Sequence, residues 1–349
     1  MKPVIICGGI GTKMWPMSRP ETPKHFLPLI DGKSLFEITW ESLRKKFEAK
    51  DIFLQTNGGQ AKIAQKQVPE IVADNIFIEP ETRNQGPATG MAAAMLLKKG
   101  LGDEPFMLIQ VDDIREPEEK LFAMMEVCDR LAKETGSYIT GGIRPEYAVM
   151  GVDYLIKGER VSREGEVGVF KVAKFLWRST KEAAEGYVSD GSALIHTNHT
   201  CMTPKAFMEM FKKYKTEWYE PLMRIAEGGE AVVEYAKMPK GPLEDVTQLV
   251  HAARESLVVE LPFNWHDIGT WESADKFLKL KNLYKAPKGL IDLDNKDNFV
   301  AVPEGKTVAL IGVEGLVVVD TGDSLLVCRK DQSGRVGEVV EKLKTKNPA

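Results

Sequence analysis

The sequence has 349 residues, with 47 Lys and Arg against 51 Asp and Glu, a net charge of −4 and 43% hydrophobic residues. That length supports two structural units with a sizeable core, and the mixed charge gives no basic footprint for nucleic acid or for a membrane surface. No apolar run is long enough to span a bilayer, the four cysteines form no CxxC pair, and an apolar run starts within three residues of Met1, so a reducing cytoplasm is the expected compartment.

In chain order, the spacing predicts strands at 3–7, 52–55, 75–78 and 106–110, with amphipathic helices at 34–47, 59–67, 87–99 and 118–134 between them. Such alternation reads as a parallel sheet covered on both faces, with ligands beyond the C-terminal strand ends. The glycine run after the first strand, Glu79-Pro80 and Asp112 all follow candidate strands. Residues 141–190 read as a mixed extension of the sheet. A helix at 204–226, a polar stretch at 227–242, a helix at 245–254 and a strand at 257–261 follow. Composition shifts near 280–289. Short β runs then come at 300–302, 308–311, 316–320 and 324–328, ahead of a helix at 336–343. Their spacing suggests a small β-roll or left-handed β-helix. The expected fold is therefore α/β, a Rossmann-like mixed sheet over residues 1–284 with a small β-helical domain over 285–349. Cys7 and Cys328, in apolar runs, read as buried thiols.

The first strand runs into Gly8-Gly9-Ile10-Gly11-Thr12-Lys13-Met14-Trp15-Pro16, followed by Pro23-Lys24. Glycines let a backbone approach a polyphosphate, and successive N–H groups in such a turn form an anion-binding concavity. Lys13 and Lys24 add positive charge. No Gly-Lys-Ser/Thr closes a Walker A loop, and the third glycine is misplaced for a dinucleotide fingerprint. The bland alternative is a glycine-rich link between a strand and a helix.

The run resembles the signature of the nucleoside-diphosphate-sugar pyrophosphorylases. Met14-Trp15-Pro16-Met17-Ser18-Arg19 is most similar to the branch of mannose-1-phosphate guanylyltransferases. The resemblance extends from Pro3 to Leu343, and the C-terminal runs 309–312 and 317–321 match that branch's compact β-helical domain. It implies transfer of GMP from GTP to mannose 1-phosphate, giving GDP-mannose and pyrophosphate with Mg²⁺ or another divalent cation. Such a reaction needs groups that position phosphates and neutralise charge. Gly8, Gly9, Gly11, Thr12 and Lys13 would hold the triphosphate, and Lys24 would stabilise charge at the α-phosphate. Asp112, which ends the run 106–112, and Asp267, in Trp265-His266-Asp267-Ile268-Gly269-Thr270-Trp271, match the family's metal aspartates. Asp112 is also suited to a helix cap or a turn, and Asp267 to a turn between tryptophans that pack a core.

The segment Glu79-Pro80-Glu81-Thr82-Arg83-Asn84-Gln85-Gly86-Pro87 resembles the family's base and ribose contact, with Glu79, Asn84 and Pro87 as candidates. The alternative is a Glu79–Arg83 surface pair and an Asn84 helix cap. Gly151, Arg178 and Asn198 match the sugar side, where a turn is an equally good account. Three departures stand out: Lys13 replaces an Arg, Trp177 a Glu, and His251 an acidic residue. The first turns a planar fork into a point charge. The altered positions leave two alternatives open, a related transferase with another sugar or nucleotide and a silent paralogue that binds a nucleotide sugar. The edges of the C-terminal β-roll would suit a homodimer contact.

Overall fold

The structure is a computed structural model that describes residues 1–9 and 11–346; Ile10 of the glycine run lies outside the described residues. The chain divides into two compact units. The first comprises residues 1–8, 42–110 and 115–265; the second comprises 9–41, 111–114 and 266–349.

Among the described residues, ten strands of the first unit form one mixed sheet. Its order is Ser256–Glu260, Val167–Leu176, Tyr154–Glu164, Ala193–His196, Tyr138–Ile143, Cys201–Met202, Phe106–Gln110, Lys2–Ile6, Phe53–Thr56 and Ile76–Ile78. The last four run parallel to one another, as strand–helix alternation requires. Phe106–Gln110 is apolar along most of its length because both faces are covered, and Phe106, Met107, Leu108 and Ile109 are all buried. At the other end the sheet curls. Ser256–Glu260 pairs antiparallel with Val167–Leu176 and parallel with Tyr138–Ile143, so the first five strands in the order close into a ring.

Residues 204–226 are two helices, Pro204–Tyr214 and Thr216–Ala226, where the sequence suggests one. The apolar spacing continues across the break, but Lys215 leaves the helical region (φ −154°, ψ 68°). Both helices dock on the glycine face of the helix Gln85–Lys98. A Cβ at Gly86 would lie 2.2 Å from the Trp218 ring, and one at Gly90 would lie 2.3 Å from Leu222 and 2.8 Å from Phe211. The turn thus lets Phe211 and Trp218 fill grooves that only glycine leaves open.

In the second unit, Leu290–Leu293 pairs in parallel with Val308–Ile311, and Phe299–Ala301 with Leu316–Asp320. Leu290 meets Val308 and Phe299 meets Val317, each 18 residues on (308 − 290; 317 − 299). This is a β-helical coil. Asn295 and Asn298 join successive rungs: each donates to a backbone carbonyl (Leu310 O at 2.6 Å, Val313 O at 3.0 Å) and accepts from a backbone N–H (Val313 at 2.9 Å, Leu316 at 2.8 Å). Leu325–Arg329 adds an antiparallel strand. Met14, Leu35, Ile268, Trp271, Phe277, Phe299, Val317 and Val336 share one core. Cys7 is buried, whereas Cys328 is only half-buried, because its strand lies at the edge of a three-stranded sheet. No helix among the described residues is long and apolar enough to cross a membrane.

Candidate functional site

In the second unit the glycine loop is held by the residues that follow it. Thr12–Met14 form one turn of 3-10 helix, preceded by Gly11 at φ 73°, ψ 49°. The Ser18 hydroxyl donates to Gly11 O at 2.7 Å. The Trp271 indole donates to Trp15 O at 2.9 Å, and Arg19 donates to Pro16 O and pairs with Asp323 at 2.7 Å. The C-terminal helix Val336–Lys346 packs on the same turn, where a Cβ at Gly337 would lie 3.2 Å from the Thr12 hydroxyl. The Trp-Pro-Met-Ser-Arg stretch is therefore scaffolding: Met14 is buried in the core with Trp271, while Lys13 is exposed.

Lys24 brings the acidic residues together. Its Nζ lies 2.5 Å from Asp112 Oδ2 and 3.5 Å from Ile268 O, and Ile268 donates its N–H to Asp112 O at 3.0 Å. Asp267 is thereby fixed next in the chain to a residue pinned on Asp112. Burial pushes the Asp112 carboxyl up, but the Lys24 ammonium prevails and holds it below the usual carboxylate range. Asp267 is raised, first by desolvation and then by the Asp112 charge, against the pull of Lys24 and Lys13. Lys13, Lys24, Asp112 and Asp267 thus form one electrostatic group. Two lysines and two aspartates of coupled charge can bind a polyphosphate with a divalent ion.

In the first unit, Gly8 and Glu79 both follow parallel strands at their C-terminal ends: Cys7 N donates to Gln55 O and Glu79 N to Thr56 O. Tyr235 donates its hydroxyl to Glu79 Oε1 at 2.6 Å. Desolvation raises the Glu79 carboxyl, and the Tyr235 bond offsets part of it. The Glu79–Arg83 side-chain pair of the alternative reading is not formed. Arg83 pairs with Glu81 at 2.7 Å and donates to Met238 O instead, because the loop at 238–241 packs against this segment. Asn84 is the helix N-cap, with φ 71° and its side chain accepting from Gln85 N at 2.8 Å. Pro87 is buried in the first turns of that helix.

Gly151 (φ 78°) donates to Ser179 O, Ser179 donates to Val152 O, and Asp153 Oδ1 accepts the Arg178 N–H at 2.6 Å. Gly151 is therefore tied to Ser179, and Asp153 holds the backbone of the neighbouring Arg178. Asn198 (φ 55°) has a buried Oδ1 without a hydrogen-bond partner. Glu244, at the start of the helix Glu244–Ala252, is buried. Its carboxyl is raised by desolvation and also by the Asp153 charge, against the pull of Arg178. Asp153 and Glu244 belong to none of the motifs read along the chain and were missed. The available signal was that Arg178 keeps its cation beside a lost carboxylate at Trp177. Two buried histidines follow the same pattern: desolvation pulls His196 down to about 4 and His251 down to about 3. His251 is not a surface acid substitute. It accepts from or donates to Ser256 Oγ at 2.8 Å and packs on Phe175 and Tyr138.

A mixed α/β sheet joined in one chain to a β-helical coil defines a two-part α/β protein whose coil-bearing unit also holds a lysine–aspartate group. The nucleotidyl transferase family model matches residues 2–281, and a MannoseP isomerase/GMP-like beta-helix domain matches residues 288–343. The chain belongs to the nucleotidyl transferase family. Among its relatives, mannose-1-phosphate guanylyltransferase 2 of Escherichia coli O157:H7 is 29% identical, over 98% of this chain and 73% of that protein. The xanthan biosynthesis protein XanB of Xanthomonas campestris pv. campestris strain B100 is 28% identical with the same coverage. The crystal structure of mannose-1-phosphate geranyltransferase from Thermus thermophilus aligns with a TM-score of 0.81 at 26% identity, over 98% of this chain and 99% of that one.

Proposed function

We propose that the protein transfers GMP from GTP to mannose 1-phosphate, releasing pyrophosphate. The sugar-phosphate oxygen attacks the α-phosphorus, the new P–O bond forms, and the bond to the β-phosphate breaks. No covalent enzyme intermediate is needed.

The observation that best supports this reading is the Lys24–Asp112 contact at 2.5 Å in a unit that also holds Asp267, Lys13 and the glycine turn. The donor chemistry fits a hard divalent ion. The Asp112 charge disfavours ionisation of Asp267, which a bound cation would relieve. These two residues would hold Mg²⁺, which when bound neutralises phosphoryl charge and orients the leaving group. Lys24 stabilises charge at the α-phosphate, while Gly9, Gly11, Thr12 and Lys13 bind the triphosphate. In the first unit, Gly8 adds a phosphate contact, Glu79, Asn84 and Pro87 bind base and ribose, and Gly151, Arg178 and Asn198 bind the sugar phosphate. The domain boundary near 284, a cytoplasmic location and a homodimer belong to the same reading.

The test is pyrophosphate release from GTP with mannose 1-phosphate and Mg²⁺, with ATP, UTP, dTTP and glucose 1-phosphate as controls. Release from that pair alone supports the reading; release from another pair moves the substrate. Binding of GTP or GDP-mannose without release from any pair points to a regulatory paralogue.

A further inference from the structure

One constellation in the first unit lies beside Arg178 but is given no role of its own in that reaction. Among the described residues, Asp153, His196 and Glu244 are the trio whose donor atoms, one from each, all lie within 4.8 Å of one another. We propose that they form a second divalent-cation site, one that takes a borderline transition ion such as Zn²⁺ or Mn²⁺.

The trio is assembled by the fold. Asp153 precedes the strand Tyr154–Glu164, His196 ends the strand Ala193–His196, and these strands pair antiparallel within the ring. His196 N donates to Asp153 O at 2.9 Å, which ties the two residues through the backbone. Glu244 comes from the first turn of the helix Glu244–Ala252. A single register shift would turn His196 to the other sheet face and undo the set.

His196 supplies the observation that points to a ligand. It is only 9% exposed, and its Nε2 is engaged by the Thr140 hydroxyl at 2.8 Å. The Nδ1 is buried with no hydrogen-bond partner. A buried ring nitrogen left unsatisfied is costly, and metal ligation satisfies it. The Thr140 bond resembles the outer-shell contact that fixes the tautomer and orientation of a ligating histidine. Asp153 is oriented in the same way, by the Arg178 N–H on Oδ1.

One imidazole and two carboxylates suit Zn²⁺, Mn²⁺, Fe²⁺ or Co²⁺ better than Mg²⁺ or Ca²⁺, which take oxygen donors. Ligand bonds of about 2.1 Å span at most about 4.2 Å between donors, so donors that lie within 4.8 Å of one another draw together when an ion binds. Three protein ligands leave open positions, as in sites that bind an exchangeable oxygen ligand and unlike closed structural sites. Arg178 is the nearby cation that opposes a metal, through its charge on Glu244.

The experiment uses the full chain carrying Asp112→Asn and Asp267→Asn, stripped with chelator and titrated calorimetrically with Zn²⁺ alone. The expected result is one equivalent bound, with His196→Gln and Glu244→Gln each weakening affinity at least about 30-fold, since loss of even an outer-shell partner costs about 10–100-fold. Asp153→Asn, which keeps an oxygen acceptor for the Arg178 N–H, gives the same loss if either of the other variants fails to fold by circular dichroism. Nitrogen NMR should show Zn²⁺ moving His196 Nδ1 more than Nε2. Absence of stoichiometric binding, binding indifferent to all three substitutions, or an unmoved Nδ1 resonance would each overturn the proposal.

Discussion

Replacing Gly11 with Ala tests how the glycine loop and the acidic residues are coupled. Gly11 sits at φ 73°, and a Cβ there would lie 2.3 Å from Lys24 Cγ and 2.6 Å from Lys24 Cβ. Those atoms are the root of the side chain, so the backbone at Lys24–Phe26 has to move with them. Left-handed backbone costs an alanine about 1–2 kcal/mol, and forcing atoms into a filled site adds about 1–3 kcal/mol. The expected destabilisation is therefore about 2–5 kcal/mol, a fall in Tm of at least about 4 °C at roughly 2–4 °C per kcal/mol. Gly32 is the control. It has φ 80°, but no atom lies within 4 Å of its Cβ position, so Gly32→Ala should carry only the backbone cost and keep wild-type turnover. In Gly11→Ala, Lys24 is pushed off Asp112, and a misplacement of about 1 Å at a reacting group lowers rate about 100-fold. Calorimetry of both variants, with pyrophosphate release from GTP and mannose 1-phosphate, separates the effects. Wild-type kcat in Gly11→Ala, or equal Tm losses in the two variants, would refute the claim that this glycine makes room for Lys24.

Asp112→Asn should lower kcat at least about 100-fold, in the range of removing a group that stabilises transition-state charge, while leaving a cooperative melt; turnover within threefold of wild type would remove Asp112 from the reaction. Trp271→Phe loses the indole bond to Trp15 O, leaving that carbonyl without it, and should lower unfolding stability by about 1–3 kcal/mol in urea titrations. Lys330 is buried against Asp275 at 2.5 Å, with Lys279 also on that carboxylate at 3.0 Å. Lys330→Met should destabilise by about 3 kcal/mol, and a neutral result would mean that Lys279 alone suffices. His251, 2% exposed, titrates at about 3 in the folded protein, below its unfolded value of about 6.5. The unfolded chain therefore binds the extra proton. The contribution is intact above pH 6.5 and is lost as pH falls from there toward 3, at about 1.4 kcal/mol per pH unit. His199, also buried and held well below its ordinary value by burial and then by Arg115, acts in the same direction. Urea midpoints at pH 7 and pH 5 check this, and His251→Gln should show a shallower pH slope than the wild type.

Much of this protein was legible along the chain because its physics is local. The strand Phe106–Gln110 was readable from an unbroken apolar run, and the helix Glu118–Thr135 from its period and its terminal Gly136. The break at Lys215 was not, because either one helix or two would bury the same apolar stripe. The choice depends on the glycines of another helix, 86 and 90, that receive Trp218 and Leu222. The strand Leu290–Leu293 escaped notice because most of it is exposed. It exists through its pairing with a segment 18 residues on.

The sequence by itself determined the chemistry on offer. It carried a glycine turn next to cations, two aspartates in recognisable settings, and short β runs ahead of a final helix. Tertiary structure decided which of these meet. Residues 9–41 and 111–114 join 266–349 in one compact unit, so the loop's tryptophan is held by an indole 256 residues away, and Lys24 finds Asp112 across 88 residues. The same holds for Asp153, His196 and Glu244, which share no motif. Contacts of that kind depend on the path of the whole backbone, and a side chain carries no local mark of the partner that this path will bring to it.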